Sequence, residues 1–198
     1  MGAGPAAAHT YTMIRLPSLL AAVTAVILAL APPASARQDD ARLDTLFRVL
    51  QDTRDDAVAQ ATQDAIRSIW LEHPGPEIRD LMEEGVQYLF AERFTDALAM
   101  FDRVVDLAPD YAEGWNRRAN THYLMGDYAA AVADIRTALE LEPRHFPALA
   151  GLGLIYLAID EPGGALRAFD GALSINPHLK GVRARADELR SDLAGEAL

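Results

Sequence analysis

The chain has 198 residues, 51% of them hydrophobic and 24% charged, which suits one globular domain with a targeting segment in front. It contains no cysteine, so disulfides, thiolate catalysis, cysteine-ligated zinc, iron–sulfur clusters and a lipid-anchored cysteine are excluded. The formal net charge is −11, and so acidic a chain repels phosphate backbones; no nucleic acid is expected among its partners.

Residues 1–36 read as a signal peptide. Arg15 precedes the apolar run Leu19–Ala31, Pro32-Pro33 breaks it, and Ala34-Ser35-Ala36 is an A-x-A cleavage site. The run is short for a membrane-spanning helix, which needs about 20 residues. The expectation is therefore cleavage near Ala36, a periplasmic or secreted protein, and no stable membrane span afterwards; retention as an uncleaved anchor is the alternative. Met13 opens a more ordinary signal than Met1, and Ala6 stands where a myristoylation motif would need Ser or Thr.

Residues 37–77 form a separate helical pair. Leu43, Leu46, Phe47 and Leu50 have helical spacing, Asp52-Thr53-Arg54-Asp55 is a turn, and Val58, Ala61, Ala65, Ile66, Ile69 and Trp70 make a second apolar stripe. His73-Pro74-Gly75-Pro76 ends the pair with strong helix breakers. Its expected role is an N-terminal cap over the open face of the unit that follows, with Trp70 as a core residue.

From residue 78 to residue 179 the sequence repeats. Pro109, Pro143 and Pro177 are spaced by 34 (143 − 109 and 177 − 143). Gly85, Ala119 and Gly153 keep the same period, as do Ala97, Ala131 and Ala165, and Phe101, Ile135 and Phe169. Such a period signals stacked helical hairpins. The small residues let paired helices approach, Tyr88, Phe101, Tyr156 and Phe169 are expected to fill the space between successive hairpins, and each proline closes a second helix. The stretch Ala112–Pro143, with Trp115, Ala119, Gly126-Asp127-Tyr128, Ala131 and Ala138, resembles the tetratricopeptide repeat (TPR). The resemblance covers three repeats, 78–111, 112–145 and 146–179, and implies an all-α solenoid. Departures are Arg118 in the usual Leu slot, His122 in the usual Tyr slot, Ile135 for Phe, and Pro162 where the last second helix opens. Residues 180–198 read as a C-terminal capping helix and tail, with Val182, Ala186, Leu189 and Leu193 as a narrow apolar stripe.

No catalytic constellation, metal set or cofactor motif appears. His73, His122, His145 and His178 are scattered, and Asp39-Asp40, Asp55-Asp56 and Glu83-Glu84 lack the spacing of a calcium loop. Gly151-x-Gly153 and Gly163-Gly164 follow no strand, so neither is a phosphate loop. No enzyme, cofactor or metal is expected.

Arg118 is the anomaly. The resemblance pairs it with Asp134 on the second helix of the same hairpin as a bidentate salt bridge, with an anion-binding role as the alternative. The resemblance also implies a concave groove lined by first helices. Slot by slot its lining is Met82, Val86, Leu89 and Phe90; Asn116, Asn120, Tyr123 and Leu124; and Ala150, Leu154, Leu157 and Ala158. The implied peptide-binding residues are Met82, Val86, Phe90, Asn116, Asn120, Tyr123, Leu154 and Leu157. No basic clamp for a terminal carboxylate is present in the flanking slots. The expected function is a non-catalytic protein–protein interaction module of the cell envelope, a scaffold or assembly factor that holds a peptide or helix of another protein. A structural homo-oligomer using the same groove is the alternative.

Overall fold

The computed structural model describes residues 40–73 and 75–196; the expected signal peptide lies outside these residues. Among the described residues the architecture is all-helical: α1 (Ala41–Asp52), α2 (Asp56–Leu71), α3 (Pro76–Phe90), α4 (Phe94–Leu107), α5 (Ala112–Leu124), α6 (Tyr128–Leu141), α7 (Phe146–Ala158), α8 (Pro162–Ile175) and α9 (Lys180–Glu196). Consecutive helices pack as hairpins α1/α2, α3/α4, α5/α6 and α7/α8, with α9 laid against α8. None of these helices is long and apolar enough to cross a membrane.

Local chemistry sets the boundaries. Asp40 and Asp55 cap α1 and α2, accepting from the backbone N–H groups of Arg42 (2.8 Å) and Ala57 (2.8 Å). Pro76 and Pro162 open α3 and α8, where a missing N–H costs nothing. The three periodic prolines act one residue earlier: Ala108, Glu142 and Asn176 leave the helical region with φ of −136°, −136° and −127°.

The small residues of the repeat are contact points within a hairpin. A Cβ at Gly85 would lie 2.6 Å from the Phe101 ring, and one at Gly153 would lie 2.2 Å from the Phe169 ring. Phe101 and Phe169 therefore lie across the first helix of their own hairpin, not between hairpins as the sequence suggests. Tyr156 likewise covers Gly164 of its own hairpin. Ala97, Ala131 and Ala165 are fully buried. At the far end Ala186 and Leu189 of α9 close a cluster with Ala165 and Phe169, and Arg190 pairs with Asp170.

The N-terminal pair does not cap the first hairpin's open face. It runs along one edge of the array, touching each connection between hairpins. The Tyr111 hydroxyl donates to the Leu71 carbonyl (3.2 Å), Trp70 stacks on His145 (4.4 Å), and His178 Nε2 donates to the Leu50 carbonyl (3.0 Å). Lys180 pairs with Asp56 (2.7 Å) and Arg144 with Asp44 (2.7 Å). Phe146 belongs to the same buried cluster as Leu43, Phe47, Ile66 and Trp70. The buried face of α2 is rotated from the expected stripe. Ala59, Thr62, Gln63, Ile66, Ile69 and Trp70 point inward, whereas Val58 is 43% exposed. Thr62 is tolerated inside because its hydroxyl donates to the Val58 carbonyl (2.7 Å).

Candidate binding cleft

Docking α2 along one edge walls off a cleft of about 390 Å³ between α2, α5 and α7. Arg67, Trp70 and Leu71 come from α2; Glu113, Asn116, Arg117, Asn120 and Tyr123 from α5; Pro147, Gly151 and Leu154 from α7. Ala119, Ile135 and Ile155, all buried, make the floor. Residues i and i+4 share a helix face, which is why Asn116, Asn120 and Tyr123 turn together toward α7.

The cleft is held open by a buried polar junction. Glu113 stands in the first turn of α5, where a carboxylate suits the helix dipole. Its Oε2 accepts from Asn116 Nδ2 (3.1 Å) and His145 Nε2 (2.9 Å), and its Oε1 accepts from Arg117 Nε (2.6 Å). His145 is fully buried and caps α7: its Nδ1 accepts the Ala148 N–H (3.2 Å), which leaves Nε2 as the donor to Glu113. Burial alone would push the Glu113 carboxyl up. The His145 hydrogen bond and the Arg117 charge outweigh it and hold the carboxyl well below the usual carboxylate range. Trp70 covers His145 from the α2 side, its indole N–H without an acceptor among the described residues.

Of the residues implied by sequence, Asn116, Asn120, Tyr123 and Leu154 meet in this cleft. Met82, Val86, Phe90 and Leu157 do not line it. Met82 is only 6% exposed, in the core cluster of the first hairpin with Phe101 and Tyr111; Val86 and Leu89 pack on that cluster. Leu157 packs against the cluster that α9 closes. Phe90 is 86% exposed at the end of α3. The implied three-repeat trough is thus replaced by a shorter cleft, because α2 supplies one wall. Asn116 is also less free than its slot implies, since its amide N–H is committed to Glu113. Sequence reading missed the Glu113–His145–Trp70 junction; each is an ordinary residue, and only the packing brings them together.

A second junction follows expectation and extends it. Arg118 Nε and Nη2 donate to Asp134 Oδ2 (2.8 Å) and Oδ1 (2.7 Å), the bidentate pair within the middle hairpin. Arg118 Nη1 also donates to Asp102 (3.0 Å) on α4, tying the first hairpin to the second. The guanidinium lies over the Trp115 ring at 4.8 Å. His122 packs beside it, Nε2 at 3.8 Å from Asp134.

Among the described residues no group of three or more His, Asp or Glu side chains could hold a metal ion. The tetratricopeptide repeat family profiles match residues 112–145 and 82–124. A TPR repeat-containing protein of Rhizobium etli is 35% identical over 154 residues, which is 78% of this chain and 76% of the relative. Among solved structures, the Sgt2 TPR domain from Aspergillus fumigatus matches with a TM-score of 0.59 at 19% identity, over 63% of this chain and 83% of that domain. The TPR2B domain of yeast Sti1, in its complex with pHsp70, matches with a TM-score of 0.56 at 18% identity, over 60% of this chain and 99% of that domain.

Proposed function

The chain belongs to the tetratricopeptide repeat family, and from that premise we propose that it is a non-catalytic adaptor of the cell envelope. In this reading it is exported after cleavage near Ala36 and takes a short extended segment of another protein into the α2/α5/α7 cleft. One observation carries this. The cleft sets an apolar floor beside an exposed side-chain amide, Asn120, with no hydrogen bond among the described residues. An amide offers a donor and an acceptor to a peptide backbone, while Ile135, Ile155 and Leu154 offer apolar area. A volume of about 390 Å³ suits a few residues, not a whole helix.

The charge of the cleft narrows the ligand. Glu113 is the one carboxylate of its lining and is already neutralised by Arg117, whereas Arg67 has only Asp64 nearby, at 3.9 Å. Donors exceed free acceptors, so the segment that fits supplies carbonyls or an acidic side chain. A bound chaperone peptide is a property of structural neighbours such as the yeast Sti1 domain; here it supports peptide binding as a mode, not a partner.

The test pairs two measurements. Replacing Asn120 and Tyr123 with Ala should leave the helical circular-dichroism signal intact and weaken partner capture at least about tenfold, equivalent to 1.4 kcal/mol. Unchanged capture by the folded variant would reject this cleft. Sizing across concentrations checks the alternative: a dimer that the same two substitutions abolish would mean that a second copy occupies the cleft. Mass spectrometry of the exported protein should find Arg37 at the N-terminus.

A further inference from the structure

The two edges of the repeat array are treated differently by the chain. The edge made by the connections between hairpins is covered by α1 and α2. The opposite edge is made by the three turns inside the hairpins, 90–93, 124–127 and 158–161, and it carries a line of exposed apolar side chains. Phe90 is 86% exposed, Leu124 44%, Met125 45% and Ile159 43%. They are not scattered. Phe90, Leu124 and Ala158 occupy one slot of the repeat, and Ala91, Met125 and Ile159 the next. The turns are fixed in the same way each time, by N–H to carbonyl bonds from Arg93 to Tyr88 (2.9 Å), Asp127 to His122 (2.9 Å) and Glu161 to Tyr156 (2.8 Å). The backbone therefore holds the two residues at each helix end outward in register, as a ridge.

The ridge has a charged border of one sign. Glu92, Asp96, Asp127, Asp160 and Glu161 lie in or just after the turns, and Arg93 is the sole cation there. Arg93 is already engaged, with Asp96 at 2.7 Å and with the Tyr88 ring at 4.4 Å. Glu92, Asp160 and Glu161 are exposed and have no partner among the described residues. A depression of about 370 Å³, lined by Glu92, Arg93, Phe94, Thr95, Asp96 and Met125, separates the first turn from the second. Apolar patches rimmed by polar groups mark interaction sites.

We propose that this turn edge is a second docking surface, separate from the cleft, for a basic amphipathic helix of a partner protein. An amphipathic helix presents an apolar stripe at i, i+3, i+4 and i+7, which matches a straight ridge, and lysines or arginines flanking that stripe meet the free carboxylates. The charge argues against the other occupants. A second copy would bring the same carboxylates face to face, and an anionic membrane surface would be repelled. The covered edge shows that the ends of these hairpins accept a laid-on helical pair, since α1 and α2 do this with apolar contacts and ion pairs to Asp44 and Asp56.

The probe is an 18-residue model helix with Leu at i, i+3, i+4 and i+7 and Lys elsewhere; its counterpart has Glu in place of Lys. With the full chain, the Lys helix should perturb amide signals at 90–93, 124–127 and 158–161, and its affinity should fall with added salt as the ion pairs are screened. Phe90→Ser, Met125→Ser and Ile159→Ser together should weaken it at least tenfold with an unchanged melting curve. Glu92→Lys with Asp160→Lys should reverse the preference between the two helices. Asn120→Ala with Tyr123→Ala, which tests the cleft, should leave it unchanged. The proposal fails if the perturbed amides fall in the cleft, if the Glu helix binds as well, or if the triple variant binds as tightly. It also fails if the triple variant abolishes a concentration-dependent self-association, which would make a second copy the occupant.

Discussion

Trp70 of α2 stacks on His145 at the head of α7, ring centroids 4.4 Å apart and planes 19° from parallel. The contact joins the N-terminal helical pair to the repeat array, and it lies directly behind Glu113. One indole thus serves two ends, anchoring the edge-covering pair and shielding the polar junction that shapes the cleft.

Trp70→Ala is expected to destabilise the protein by about 3 kcal/mol, the lower end for a buried aromatic, because the adjoining cleft lets water reach the gap. Urea unfolding measures this. Hydrogen exchange should show α1 and α2 losing protection while α3 to α9 keep theirs. Equal loss everywhere would mean that the pair and the repeats unfold as one unit.

Acid should act in two stages. Burial lowers the titration of His73 below its ordinary value, and protonating its Nδ1 would cost the hydrogen bond from the Gly75 N–H. A depressed histidine means that the unfolded chain binds the proton first, so stability declines as pH falls below about 6.5. Glu113 is depressed as well, against the burial that would raise it, by His145 and Arg117. Its contribution is complete above about pH 4.3 and is lost as pH falls through the lower folded value. Urea midpoints measured from pH 7 to pH 3 should fall in both windows. His73→Gln should remove the first decline and Glu113→Gln the second, the latter at a cost of about 3 kcal/mol near neutrality because Arg117 loses its buried partner.

How far the sequence foretells this molecule depends on how local the signal is. The hairpins are legible because Gly85, Ala119 and Gly153 face Phe101, Ile135 and Phe169 at a fixed spacing, and because Pro109, Pro143 and Pro177 stop helices wherever they occur. The Arg118–Asp134 pair is legible as a break in that repetition. The docking of α2 is not, because Thr62 and Gln63 face inward while Val58 faces out, so hydrophobicity points to the wrong face of the helix. Met82 fails for a similar reason: its slot is concave in the repeat, but here it joins the core beside Tyr111. The Glu113–His145 contact joins two polar residues from successive hairpins, and polarity alone predicts that both stay in water.

The Arg118 junction should be strongly coupled on one side only. Asp134 is nearly buried, with a side chain 6% exposed, whereas Asp102 is 51% exposed. Asp134→Ala should cost about 1.5–3 kcal/mol, the range for hydrogen bonds to charged groups, since Arg118 keeps Asp102 and some water. Asp102→Ala should cost under about 1 kcal/mol, as exposed pairs do. A double-mutant cycle of Arg118→Ala with Asp134→Ala should show clear non-additivity. Additive effects would mean that the bidentate contact contributes nothing to stability.

The last prediction concerns the three turns inside the hairpins. Each needs one residue in the left-handed region, and the repeat supplies Glu92 at φ 56°, Gly126 at φ 80° and Asp160 at φ 60°. For an L-residue that conformation costs about 1–2 kcal/mol, because Cβ crowds the next carbonyl, and Asp tolerates it better than Glu. Glycine removes the cost but loses more backbone freedom on folding. Glu92→Gly should therefore stabilise the protein by about 0.5–1 kcal/mol and Asp160→Gly by less. Gly126→Ala is the reverse experiment. No atom lies within 4 Å of where its Cβ would go, so any loss there, expected at about 1 kcal/mol, comes from the backbone alone. The three variants should shift the urea midpoint in these directions with an unchanged slope. If Glu92→Gly destabilised instead, the Glu92 carboxylate would have to be holding the first turn through an interaction worth more than the strain it imposes.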